Sequence, residues 1–454
     1  MTIHRLLVAA ATLLASACAT QIAPPADIAI KNVNVIPMTE ETVLTGRTVL
    51  IRDGHIAAIL NGRPAATARA AKVIDGENGY LIPGLADMHA HLGLILPWDG
   101  DPSRDGKAHD LCLYLPNGVT KVRNMRGTPG DLELREELRS GLLTGPELLL
   151  AGPSLHSTLP DSFGPKVTTA AEAEAVVRAQ VAAGYDLIKV HNQLPQPAYD
   201  AVIETAVALG IPVAGHIQQG KSDVENARLG SIEHAEELVK MLGEDKDFSD
   251  APAFLNALKA SGAYVTPTLI VFETIAEYLD DDSLAALYNA PETSYVSAYW
   301  RRNMAAERNF FRQSFGENYA TQIKGLNEQS AQHRTLTRQL NDAGIPLLLG
   351  TDAVGLVAPG FSTHQELMLM VKSGMTPFEA LQTATVNPAR WAGKTGAEGV
   401  IAKDAKADLV FLSDNPLENI SATTSVVGVI KSGEWFDRPR LNAILDQCRE
   451  PDVE

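Results

Sequence analysis

AAEAEAVVRAQVAAGYDLIKVH, residues 170–191, holds one complete step of the fold. Residues 170–183 carry Ala and Val at helical spacing, and Gly184 stops the repeat. The chain then turns apolar through Leu187, Ile188 and Val190 and ends on a polar residue, His191. The step recurs on both sides. Gly118-Val119-Thr120 opens a strand ending at Arg123-Asn124, and Gly210-Ile211-Pro212 opens one ending at His216. Gly230 precedes a strand ending at His234, and Gly344-Ile345-Pro346 one ending at Asp352. Repeated βα units build a parallel sheet, and eight of them close a barrel of about this length. The expected class is α/β, with a (β/α)8 TIM-type barrel over 83–393.

Outside that range the texture changes. IAIKNVNVI (28–36) alternates apolar and polar residues, and TVLIRDGHIAAIL (48–60) sets Asp53-Gly54 between two apolar runs, a hairpin signal. ADLVFLS (407–413) and VVGVIKSGEWF (426–436), with its Ser432-Gly433 turn, repeat the pattern near the other end. Residues 26–82 and 394–450 are therefore expected to form the two halves of one small β-sandwich module. Within the barrel, AYVTPTLIV (263–271) reads as the seventh strand, and 272–340 is too long for a bare loop. That stretch predicts a helical insertion over one barrel face, a lid in outline. The aromatic and basic residues around Trp300 fit helix packing there.

Residues 1–19 read as a signal peptide, with Arg5, an apolar run from Leu6 to Ala15 and then small residues. Two processing readings stand. Ala15-Ser16-Ala17 before Cys18 resembles a bacterial lipoprotein signal, although Ala15 takes the place where Leu is usual; Cys18 would then carry a lipid anchor. Ala17-Cys18-Ala19 also fits ordinary small-x-small cleavage, which releases a soluble protein. Either way the chain is exported, to the bacterial periplasm or to a membrane surface. Cys112 and Cys448 could pair in such an oxidising compartment.

Composition narrows the partners. The 454 residues are 45% hydrophobic and 20% charged, which excludes disorder. A net charge of −17 argues against nucleic acid, whose phosphates call for clustered Lys and Arg. What remains is a small-molecule substrate, a membrane reached only through a lipid at Cys18, and a second copy of the chain in a homo-oligomer.

The chemistry gathers at strand ends. In PGLADMHAHLG (83–93), His89 and His91 stand two apart, so on a strand both imidazoles face one side. His216, His234 and Asp352 stand where other barrel strands finish, the end at which such barrels hold active sites. Singly each has a structural explanation, as a hydrogen-bonded core histidine or a helix cap; together they predict a metal site. Lys189 sits in an apolar strand, where an unpaired ammonium is costly. It either pairs with an acid or, with a depressed pKa, takes up carbon dioxide as a carbamate able to bridge two cations. His191, two residues on, could face the same way, toward the metal ligands or the substrate, with a plain structural role as the alternative.

These residues together resemble the amidohydrolase superfamily, in its imidazolonepropionase-like and exported-dipeptidase-like branch. GVTKVRNM (118–125), GSIEHAEE (230–237), SGMTPFEALQTATVNPARWAG (373–393) and AKADLVFLSDNP (405–416) share its texture. The resemblance implies two divalent cations, zinc by expectation. His89, His91 and Asp352 would hold one, His216 and His234 the other, and a carbamylated Lys189 would bridge them beside a hydroxide. Asp352 would act as the catalytic proton shuttle. Deaminases of the superfamily carry Glu three residues after the fifth-strand histidine, where this chain has Gln219. Gln cannot move a proton, so the reading is a metal-dependent hydrolase of amide or peptide bonds, in a dipeptide or N-acyl amino acid. An esterase or lactonase on the same scaffold and a non-catalytic surface binding protein are the competing readings. Candidate substrate contacts are Arg123, His156, His191 and Tyr264, with Arg123 either clamping a carboxylate or ion-pairing inside the barrel.

Overall fold

The computed structural model describes residues 26–62, 69–94, 102–244 and 246–450. The expected signal peptide and Cys18 lie outside them. Among the described residues no helix is long and apolar enough to cross a membrane.

The centre of the molecule is parallel β-structure wrapped by helices. Strands Leu85–Ala90, Val119–Asn124 and Glu147–Leu150 form one parallel sheet; Ile188–Val190, Val213–Gly215, Ser231–Glu233 and Tyr264–Thr266 form another. Bridges Ala151 to Leu187 and Leu155 to Val190 connect the two sheets. Residues 345–349 supply an eighth segment, bridged to Val265 on one side, with Leu349 O accepting from Met88 N at 2.7 Å on the other. The eighth segment thus touches both sheets.

The intervening helices form for the local reasons read from the sequence. Ala170–Ala183 begins with a capping box, Thr169 and Glu172 each bonding the other's backbone, and ends at Gly184 with φ 94°. Its Val177 packs with Ile188, Val190 and Val213 in the main core. Burial of these branched side chains between sheet and helices fixes strand order and so brings the strand ends together.

The two chain ends share a sheet of eight strands. Its order runs Glu434–Asp437, Val426–Lys431, Leu409–Leu412, Tyr80–Pro83, Ile28–Val35, Leu44–Arg52 and His55–Asn61, with Lys72–Asp75 also paired to Ile28–Val35. Both expected hairpins are present, and their turns, Asp53-Gly54 and Ser432-Gly433, have positive φ at both positions, the twist that suits antiparallel strands. The strands are joined in one continuous sheet where the sequence suggested a sandwich, because Tyr80–Pro83 pairs directly with both Ile28–Val35 and Leu409–Leu412. The second half also closes with a helix, Arg438–Gln447, whose end brings Cys448 to Cys112 in a disulfide.

The seventh strand is shorter than its sequence suggests. It stops at Thr266, and Leu269-Ile270-Val271 open the helix Leu269–Leu279. Helices then follow one another to Ile323–Asp342, so the helical stretch begins at Leu269, three residues before 272. Trp300 is buried with Leu94, Val271, Tyr278 and Met304, the packing role its neighbourhood suggested.

Candidate metal centre and catalytic cavity

A cavity of about 280 Å³ opens at the C-terminal ends of the parallel strands. His91, Lys189, His191, His216, His234 and Asp352 line its floor. His89 lies beneath, fully buried, and with His234 and Asp352 offers ligand atoms all within 4.8 Å of one another. Asp352 Oδ1 is 3.4 Å from His91 Nε2 and 3.8 Å from His89 Nε2. The rings of His191 and His216 lie 4.0 Å apart, and those of His216 and His234 4.9 Å. All six residues expected to hold metal converge here.

Backbone shape delivers them. His234, Thr268 and Asp352 all take left-handed conformations, with φ of 71°, 49° and 46°. For a non-glycine residue that is costly, and such outliers gather where function demands a particular side-chain direction. Gly350 has no room for a side chain: a Cβ there would meet Thr266 at 2.4 Å and His89 at 2.5 Å. The absence of that Cβ lets the eighth segment lie against His89 and carry Asp352 to it. Asp87, fully buried, accepts from Thr351 N, Thr351 Oγ1 and His89 N, tying both segments together.

The imidazoles are held neutral. Burial, and then the positive charge of Lys189, pushes His91 and His191 down to about 3, and His216 well below its ordinary value. Burial acts first on His89 and His234 as well. Neutral imidazole is the form that coordinates metal. Each of three rings has its other nitrogen engaged. His89 Nδ1 meets Glu233 Oε2 at 2.7 Å, His216 Nδ1 meets Asn192 Oδ1 at 2.9 Å, and His234 Nδ1 meets Thr268 Oγ1 at 2.8 Å. His89 Nε2 and Lys189 Nζ are buried with no hydrogen-bond partner. Burial lowers Lys189 to about 8 and raises Asp352 to about 7. Orphaned donors and acceptors around one cavity, with oriented imidazoles and a carboxylate, are the features a divalent cation would satisfy.

A family model described as the amidohydrolase family matches residues 80–436. The chain belongs to the amidohydrolase family. It is a hydrolase acting on carbon–nitrogen bonds. Ochratoxinase from Aspergillus niger is 23% identical over 410 residues, covering 82% of this chain and 78% of that one. Among solved structures, a Xaa-Pro dipeptidase with methionine bound in its active site superimposes with a TM-score of 0.70 at 23% identity, covering 90% and 99% of the two chains. Bottromycin amidohydrolase gives 0.69 at 22% identity, covering 92% and 89%. These likenesses carry the fold, a TIM-barrel-like α/β arrangement.

In this amidohydrolase the substrate contacts read from the sequence are mostly displaced. His191 lines the cavity as expected. Arg123 does not: it is fully buried, its Nη2 2.8 and 3.0 Å from the two oxygens of Glu233, with Met88 O accepting from Nε and Trp391 stacked 4.8 Å away. The ion pair among the parallel strands wins because Glu233 would otherwise be a buried charge with no cation beside it. His156 is buried with Nε2 2.9 Å from Gly164 O and is not part of the lining. Tyr264 starts its strand, so it lies at the end of the parallel strands away from the cavity, packed against the cluster of Ala86, Met88 and Leu348.

Other residues take those places. The cavity's charged lining beyond the metal-site residues is Arg126 and Glu236. Its apolar wall is Leu94, Phe163, Val271, Phe272, Ile275, Phe310, Phe311 and Val354, largely from the helical insertion. Gln219 is exposed, bonded to Gln193 at 3.0 Å and away from the lining, so no acid stands in for the deaminase glutamate at that position.

Proposed function

We propose that this chain is an exported, metal-dependent amidohydrolase that cleaves the amide bond of a small substrate with a large apolar group, a dipeptide or an N-acyl amino acid. The observation that carries the reading is the convergence of five buried or half-buried neutral imidazoles, Asp352 and the unpartnered Lys189 Nζ beneath an apolar wall. The parallel segments are read as a closed (β/α)8 barrel, supported by the contacts that join the eighth segment to both sheets.

His89, His91 and Asp352 would hold one divalent cation, and His216 and His234 a second, zinc being the expected metal. Lys189, with an amine held near 8 and no partner, suits a carbamate between them. Bound cations supply an acidified water and polarise the scissile carbonyl. Asp352 takes the proton of the attacking water and returns it to the leaving nitrogen, the one cavity carboxylate surrounded by the ligand histidines. Arg126 lines the same cavity and offers a guanidinium for a substrate carboxylate. Phe272, Phe310 and Phe311 exclude water and hold the apolar group. Both ochratoxinase and the Xaa-Pro dipeptidase are relatives in keeping with an amide substrate.

Export rests on the N-terminal pattern, with a lipid at Cys18 or soluble release, and the Cys112–Cys448 disulfide suits an oxidising compartment. Metal analysis together with a screen of dipeptides, N-acyl amino acids and matched esters tests the reading. We expect two metals per chain, chelator-sensitive amide hydrolysis, and loss of both metal and activity in Lys189→Ala. Full activity of Lys189→Ala with unchanged metal content would sink the two-metal reading.

A further inference from the structure

Two substrate classes fit the cavity so far, one with a free amino terminus and one without. Glu236 separates them. It is the second residue of the helix Ala235–Leu242, directly after the left-handed turn at His234, and its side chain lines the cavity. Asp352 apart, it is the acid of that lining among the described residues.

Its neighbours compensate its charge only in part. Lys240 Nζ is 3.0 Å from Glu236 Oε1 and 2.9 Å from Glu237 Oε1, so one ammonium serves two carboxylates. Glu237 is buried, held also by Asn192 Nδ2 at 2.6 Å, and takes no part in the lining. The trio keeps one negative charge in excess, and the carboxylate that faces the cavity is Glu236, with 30% of its side chain open to solvent. Water can solvate it while the cavity is open. A substrate pressed against Phe272 and Ile275 strips that water away, and a carboxylate desolvated without a new donor is heavily penalised.

We propose that Glu236 is a specificity-determining residue that receives the free α-ammonium of the substrate, which makes unblocked dipeptides with a large apolar side chain the preferred class. The assignment rests on the amidohydrolase reading above. An ammonium brings three donors and the opposite charge. An acylated nitrogen brings one weak donor and leaves the covered Glu236 only the ammonium it shares with Glu237, so the same residue that attracts one class rejects the other.

The test compares metal-loaded wild type with Glu236→Gln, a change of charge at nearly constant shape. kcat/KM is measured for leucyl-phenylalanine and for its N-acetylated form, which share one scissile bond. Wild type should favour the free dipeptide by about tenfold or more, and the ratio should collapse toward one in the variant. A ratio that the substitution leaves unmoved would overturn the assignment, since a merely structural role changes both substrates alike. Calorimetry with two uncleavable probes, phenethylamine and phenethyl alcohol, reads the subsite without catalysis. The amine should bind wild type about tenfold tighter and lose that advantage in the variant; equal binding to wild type overturns the proposal. If neither dipeptide is cleaved yet the amine preference holds and depends on Glu236, the dipeptide and N-acyl amino acid reading falls and the ammonium subsite stands. If amides are cleaved without any ammonium preference, the subsite falls and the hydrolase stands.

Discussion

At the scale of single residues, the site depends on which nitrogen of each histidine keeps its proton. For His216 the neighbour decides it. Asn192 Nδ2 donates to Ile217 O and Glu237 Oε2, which leaves Oδ1 as acceptor and puts the imidazole proton on Nδ1. Nε2 is then a lone pair directed to the cavity. His234 Nδ1 is bonded to the Thr268 hydroxyl, which orients the ring from a backbone held at φ 49°. Replacing Thr268 by Val removes one hydroxyl and preserves the branched shape. Losing such an orienting partner should weaken metal affinity by about 10–100-fold while the fold persists. Competition with a chelator, monitored beside the unfolding midpoint, checks this; unchanged affinity would mean that packing alone orients His234. That these residues converge was legible in the sequence, because histidines and an aspartate at successive strand ends have few structural explanations in common. Their orienting partners were not. Asn192 and Thr268 are ordinary loop residues by type, and Glu233 becomes a partner of His89 only when the first, second and sixth parallel strands meet.

At the scale of elements, the helix Leu269–Leu279 carries Val271, Phe272 and Ile275 into the cavity wall, and its start is fastened from a distance. Glu366 is fully buried and accepts from Leu269 N at 2.9 Å and Ile270 N at 2.8 Å, two of the donors a helix leaves unsatisfied at its first turn. This explains the misread strand. Leu269-Ile270-Val271 is an apolar run with two β-branched residues that continues a strand on local grounds; a carboxyl group almost one hundred positions downstream makes it a helix start. Glu366→Gln replaces one acceptor by a donor facing an N–H, and should destabilise the protein by about 1–3 kcal/mol and raise KM through a looser wall. Burial also lifts the Glu366 carboxyl from 4.5 to about 8. The folded state therefore binds that proton more tightly than the unfolded chain, so its contribution to stability falls as pH rises from about 4.5 through about 8. Urea unfolding at a series of pH values should show wild type losing stability relative to Glu366→Gln across that window. A difference independent of pH would mean that Glu366 titrates alike in both states.

At the scale of the whole molecule, the chain leaves one sheet, builds the catalytic body and returns to the same sheet. That return was readable because hairpin turns and alternating strands occur at both ends. The number of sheets was not readable, since it depends on Tyr80–Pro83 pairing with strands from both halves, and four residues of sequence do not specify two edges. Pairing of Cys112 with Cys448 was likewise only allowed by the sequence, because proximity is a product of the return. The disulfide joins the helix Arg104–Tyr114 to the end of Arg438–Gln447 across a separation of 336 residues, and His109 Nε2 lies 3.0 Å from Cys448 O beside it. The link thus holds the last helix against the catalytic body. Such a closure acts mainly on the unfolded chain, which it denies many open conformations, so replacing both cysteines by Ser should cost about 2–5 kcal/mol. Because the bond lies outside the cavity lining, kcat on a cleaved amide should stay close to wild type under conditions where both proteins are folded. Urea unfolding of the oxidised wild type and of the double variant measures the first expectation, and initial rates measure the second. A loss of stability well below 1 kcal/mol would mean that the sheet alone brings the chain ends together, even in the unfolded ensemble.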